Sequence, residues 1–109
     1  MSAVLLAVDG GNAKTDLALV GADGSLLALV RGPGSSPHEH GIEGALDRIE
    51  ALVIEAGAEG PVAYAELLLA GVDFPSEVRD VQARAQERGW ADRVEVGRAS
   101  CRERVLLGV

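Results

Sequence analysis

The apolar run Val4-Leu5-Leu6-Ala7-Val8 stops at Asp9-Gly10-Gly11-Asn12-Ala13-Lys14-Thr15-Asp16, and this junction constrains the fold more than any other part of the chain. A short run that is apolar on every residue reads as a buried strand. Gly10 and Gly11 carry no Cβ, so the backbone behind that strand can turn tightly and bring its N–H groups close to an anion. Lys14 and Thr15 add a charge and a hydroxyl, and Asp9 is placed to hold a hydrated Mg²⁺. Asp16-Leu17-Ala18-Leu19-Val20, with Thr15, then reads as a second strand by its β-branched and apolar content. The glycine loop therefore joins strand to strand.

Two common phosphate motifs fail on the letters. A Walker A loop needs glycine just before its lysine and another five residues earlier, where this chain has Ala13 and Val8. The dinucleotide fingerprint needs glycine at Asn12 and a helix after it. A glycine loop inside a β-hairpin instead resembles the phosphate grip of actin-like and hexokinase-like ATPases. A hairpin turn without any ligand is the plain alternative, as expected of Asp23-Gly24 later in the chain.

Further elements follow from periodicity. Ala3–Val8, Thr15–Gly21 and Ser25–Arg31 form an antiparallel meander, closed by Gly32-Pro33-Gly34-Ser35-Ser36-Pro37, a breaker-rich loop expected to end the sheet. Ile42, Ala45, Leu46, Ile49, Leu52, Val53 and Ala56 give one helical face, ended by Gly57. Ala63–Gly71 reads as a central buried strand. Pro75 opens a second helix with Val78, Val81 and Ala85 inward, Glu77 at its positive end and Gly89 as its stop. Val94-Glu95-Val96 begins a fifth strand. The order β-β-β-α-β-α-β is that of a ribonuclease-H-like α/β half-domain, a mixed sheet with helices on its faces. Trp90, Tyr64 and Phe74 are expected in or at the edge of the core.

With 109 residues and 48% hydrophobic content the chain suits one domain with a core that needs no disulfides. A formal net charge of -7 disfavours nucleic acid or an anionic membrane as partner, since either needs a basic face. Cys101 is the single cysteine, which excludes an internal disulfide framework and a cysteine-based metal site. No basic leader and no span of ~20 apolar residues is present, and a cytoplasmic location is expected.

Taken together, Asp9–Asp16, the Gly34-Ser35-Ser36-Pro37-His38-Glu39-His40-Gly41 segment and Leu69-Ala70-Gly71-Val72-Asp73 resemble the N-terminal part of the BadF/BadG/BcrA/BcrD ATPase family, which includes N-acetylglucosamine kinases. The resemblance covers about residues 3–97. It implies ATP phosphates on Gly10, Gly11, Asn12, Lys14 and Thr15, with Mg²⁺ near Asp9. It also implies an acceptor-sugar pocket formed by Ser36, Pro37, His38, Gly71 and Asp73, although sugar kinases of the family often carry Asn where Ser36 stands. The partners implied are a small-molecule sugar and a nucleotide, and a homodimer of the full-length parent is compatible with it. The plain alternatives are solvent-exposed loop histidines at His38 and His40, a strand end at Gly71 and a helix cap at Asp73. A nucleotide-binding actin-like ATPase with a regulatory or activator role is the second functional reading. Its radical-dehydratase activator version is disfavoured because those proteins use interface cysteines.

The segment 98–109 differs in character, with Arg98, Arg102 and Arg104 against one acid, Glu103. Family members continue after the fifth strand with an Asn-Asp-type segment whose Asp is the catalytic base, whereas here Arg98-Ala99 follows Gly97. Gly97–Val105 resembles a translated short-read sequencing adapter. The expectation is an incomplete ATPase lobe at residues 1–97, half of a two-domain fold and inactive by itself, followed by a non-native tail; a genuine divergent tail is the alternative.

Overall fold

The computed structural model describes residues 3–98, so the expectations placed on the later tail lie outside the described residues. Seven elements follow in the expected order: β1 (Ala3–Gly10), β2 (Lys14–Gly21), β3 (Leu26–Pro33), α1 (Pro37–Glu55), β4 (Val62–Leu69), α2 (Pro75–Glu87) and β5 (Ala91–Arg98). They build one five-stranded sheet in the order β3-β2-β1-β4-β5. β2 runs antiparallel to both β1 and β3, while β1, β4 and β5 are mutually parallel. This is the mixed sheet of an actin-like, ribonuclease-H-like fold.

The registers define the two faces. Leu6 stands level with Leu19 and Ala65, and Val8 with Leu17 and Leu67, and all of these are buried in one cluster with Leu46, Ile49 and Leu52 of α1 and Val81 and Ala85 of α2. Successive strand side chains point to opposite faces, so both helices cover the same side. The two described helices lie together on one face of the sheet. Arg88, at the end of α2, confirms their contact by bonding Glu43, Asp47 and Glu50 along α1 at 2.8, 3.0 and 3.2 Å. The opposite face carries Leu5, Ala7 and Asp9 of β1 beside Val20, Ala18 and Asp16 of β2.

β3 corrects the expectation that Gly32 and Pro33 end the sheet. Both lie within the strand, opposite Thr15 and Lys14. Proline is tolerated there because β3 is an edge strand and Pro33 is its last residue, so no ladder bond needs its missing N–H.

The helix ends follow local rules. Gly57 (φ 83°) terminates α1 with Gly57 N–H donating to Ile54 and Ala58 N–H to Val53, a Schellman closure. Gly41 (φ 72°, ψ 168°) interrupts the same helix, so Pro37–His40 form a turn set at an angle to the longer run after it. Glu77 accepts from the amides of Asp73 and Phe74 at 3.1 and 3.0 Å, which satisfies donors at the start of α2. Phe74 lies on the surface, 66% exposed, where a residue in or at the edge of the core was expected. Trp90 is buried as expected and donates to Glu50.

On β5, Val94 N–H donates to Gln86 Oε1 at 2.9 Å and Val96 N–H to Gln82 Oε1 at 3.0 Å. Two side chains of α2 thus occupy amides on the outer rim of this strand.

Candidate functional site

β1 and β4 are parallel and end side by side, with Gly10 level with Leu69. The carboxyl ends of neighbouring parallel strands are where α/β sheets bind ligands. Three chain segments meet there: the Gly10–Asn12 turn, the Gly34–His38 loop and the Ala70-Gly71 turn. Gly11 N–H donates to Lys14 O at 2.8 Å and closes the first turn, Ala70 N–H donates to Gly10 O at 2.8 Å, and Ser35 N–H donates to Gly11 O at 3.1 Å.

The glycines are required by closeness. A Cβ on Gly10 would lie 2.4 Å from Ser35 Oγ, and one on Gly34 would lie 2.0 Å from the carbonyl oxygen of Asn12. Either distance is far inside van der Waals contact.

The residues expected to hold phosphate divide into two groups. Asn12 and Lys14 are exposed at the tip of the turn, and the amides of Asn12 and Ala13 donate to no backbone carbonyl among the described residues. Gly10, Gly11 and Thr15 shape the turn from below. Thr15 is fully buried, and its Oγ1 lies 2.9 Å from the carbonyl of Pro33 and 2.7 Å from Ser35 Oγ. A carbonyl only accepts, so Thr15 donates to Pro33 and Ser35 donates to Thr15. The hydroxyl expected to face an anion is thereby committed inside the protein.

Asp9 precedes Gly10 on the open face of the sheet, directly across from Asp16. The Arg31 guanidinium bonds Asp16 at 2.6 Å and holds its carboxyl below the usual range. No group of three or more His, Cys, Asp or Glu side chains with metal-ligand geometry occurs among the described residues. One carboxylate next to a glycine turn suits Mg²⁺, which keeps several waters and takes few protein ligands.

Of the residues expected around a sugar, Ser36, His38 and Gly71 come together. Gly71 has φ 78°, and a Cβ there would lie 2.3 Å from Ser36 Oγ and 3.0 Å from His38 Cβ. Pro37 is half-buried beside them and His38 is exposed. Ser36 Oγ is fully buried and has no hydrogen-bond partner among the described residues. Asp73 is exposed two residues beyond Gly71, at the start of α2. Gly34 and Ser35 belong to the segment that carries the family resemblance, which implies no role for either. The only signal was the placement of a glycine and two serines directly before Pro37.

Open hollows lie elsewhere. One of about 480 Å³ is lined by Leu19, Leu27 and Gly57–Pro61 at the far end of the sheet, and one of about 370 Å³ lies beside Phe74 and Arg79. Neither contains the glycine turn, where three backbone segments converge.

No protein-family model matches this chain, and no curated protein sequence matches it. Among solved structures it is similar to a putative N-acetylglucosamine kinase from Chromobacterium violaceum, with a TM-score of 0.60 and 24% identity over 89% of this chain. The chain spans 35% of the length of that structure. The likeness shows the fold, and at this coverage it shows a part of it.

Proposed function

We propose that this chain is the N-terminal part of an ATP-dependent sugar kinase that, in its full-length form, phosphorylates N-acetylglucosamine or a related amino sugar. The observation that carries this reading is the convergence of the Gly10–Asn12 turn, the Gly34–His38 loop and the Ala70-Gly71 turn at the carboxyl ends of β1 and β4. The likeness to the Chromobacterium violaceum protein supports the same reading.

In this reading the exposed tip, with the Asn12 and Ala13 amides and Lys14, meets the phosphates of ATP. Gly10, Gly11 and Thr15 hold the tip in shape. Asp9 would hold Mg²⁺, which supplies charge neutralisation at the phosphates. Ser36, Pro37, His38, Gly71 and Asp73 would line the sugar side. The buried, unpaired Ser36 hydroxyl favours a polar ligand there, since an unsatisfied buried hydroxyl costs about 1–3 kcal/mol. A cytoplasmic location follows from such a substrate, and no described helix is long and apolar enough to cross a membrane.

Calorimetry with Mg·ATP tests the reading. Weak, Mg²⁺-dependent binding is expected for the wild type and none for Gly11→Val, because a Cβ at Gly11 already lies 3.1 Å from Lys14 O. Equal affinity of the two proteins would remove the turn as the phosphate site.

A further inference from the structure

Ser35 belongs to both halves of the site. Its amide donates to Gly11 O at 3.1 Å, its hydroxyl pairs with Thr15 Oγ1 at 2.7 Å, and the next residue is Ser36, packed against Gly71. Ser35 and Thr15 are both 0% exposed, so water does not compete for their bond. There is also no slack. Gly10 and Gly34 approach the opposing segment so closely that a single methyl on either would collide with it. Two loops joined in this way cannot be displaced independently, because packed interiors shift between discrete arrangements and do not deform smoothly.

We propose that Ser35 is a positioning residue that couples the glycine turn to the loop of Ser36 and His38, so that an anion held at the turn sets the conformation of the loop. The coupling rests on the reading above that the turn takes a phosphate. The device is local: Thr15 anchors to Pro33 at the end of β3, Ser35 anchors to Thr15, and a shift of the Gly11 carbonyl is carried through the Ser35 amide into the following residues. Coupling of two sites through such a shared element is typically 5–150-fold in affinity and acts equally in both directions.

Amide chemical shifts of the 109-residue chain, followed as Mg·ATP is added to saturation, test this. In the wild type, shifts are expected at Asn12 and Ala13 and also at Ser36 and His38. In Ser35→Ala the first pair should still shift, while the shifts at Ser36 and His38 should fall at least threefold. Ser35→Cys keeps the size of the side chain but offers only a weak donor, so it should behave like Ser35→Ala and provides the test if that variant does not fold. Thr15→Ser keeps the hydroxyl and should restore the wild-type pattern, which a loss of packing alone would not do. Undiminished shifts at Ser36 and His38 in both hydroxyl-deleted variants, or no shift there in the wild type, would overturn the coupling. A folded wild type with no shift at Asn12 or Ala13 would remove the phosphate site itself, a separate failure that takes the coupling with it.

Discussion

Tyr64, the only tyrosine, donates its hydroxyl to Glu66 two residues along β4, on the face of the sheet that carries no described helix. Partial burial, the Glu66 hydrogen bond and the charges of Glu66 and Glu95 together raise its pKa to about 12. The folded state thus favours the neutral phenol. Its contribution to stability is fully present below the ordinary tyrosine pKa near ~10 and is lost as the pH rises from there through about 12. Ultraviolet titration should show phenolate forming near that pH in the wild type and distinctly lower in Glu66→Gln. An unshifted midpoint in Glu66→Gln would mean that burial alone sets the value.

Arg88 fastens α2 to α1 through three carboxylates and is only 16% exposed, whereas Arg84 reaches Glu43 alone and is 52% exposed. Arg88→Ala leaves Asp47 and Glu50 without their cation and Glu43 with Arg84 alone. A loss of about 2–4 kcal/mol is expected in urea unfolding, against under about 1 kcal/mol for Arg84→Ala. Equal losses would show that the network adds nothing beyond surface pairing.

Gly34→Ala should cost far more than Gly57→Ala. The added methyl at Gly34 would meet the Asn12 carbonyl, which is backbone and cannot rotate away, while at Gly57 the space is open and only the positive φ resists. About 1 kcal/mol is expected at Gly57. At Gly34 the turn must move, so Mg·ATP binding should vanish together with a clear drop in melting temperature. Intact binding in Gly34→Ala would show that the turn tolerates displacement.

The 109-residue chain is expected to leave N-acetylglucosamine, glucosamine and glucose unphosphorylated in a coupled assay. It spans 35% of the kinase structure it is similar to, and positioning both reactants can supply about 7–11 kcal/mol of rate enhancement. Turnover that disappears in Asp9→Asn would contradict this.

The fold was largely readable because its elements are set by short-range patterns. Val4–Val8 and Leu67–Leu69 are apolar without alternation, the period of Ala45, Leu46, Ile49 and Leu52 is helical, and Gly57 and Gly89 stop their helices. What escaped depends on neighbours distant in sequence. Pro33 looked like a strand breaker until β2 supplied a partner that needs no N–H from it. Ser35 looked like loop filler, since the hydroxyl it meets is 20 residues away. Phe74 looked like core or core edge, but it stands just ahead of α2 with its side chain at the surface. The turn at Gly10-Gly11 was legible as a turn. That Thr15 faces inward and Asn12 outward followed only from register.

The glutamines on β5 make the two rims of the sheet unequal. Strand rims are sticky because unmet amides and carbonyls accept any passing chain. On β5 the Val94 and Val96 amides are already engaged by Gln86 and Gln82, whereas the uncharged stretch Leu26–Val30 of β3 has no comparable cover among the described residues. Among the described residues, the β3 rim is therefore the more open of the two to another copy of this chain. By occupying those amides, Gln82 and Gln86 oppose growth of the sheet through β5, the kind of edge-to-edge addition that leads to open-ended fibres.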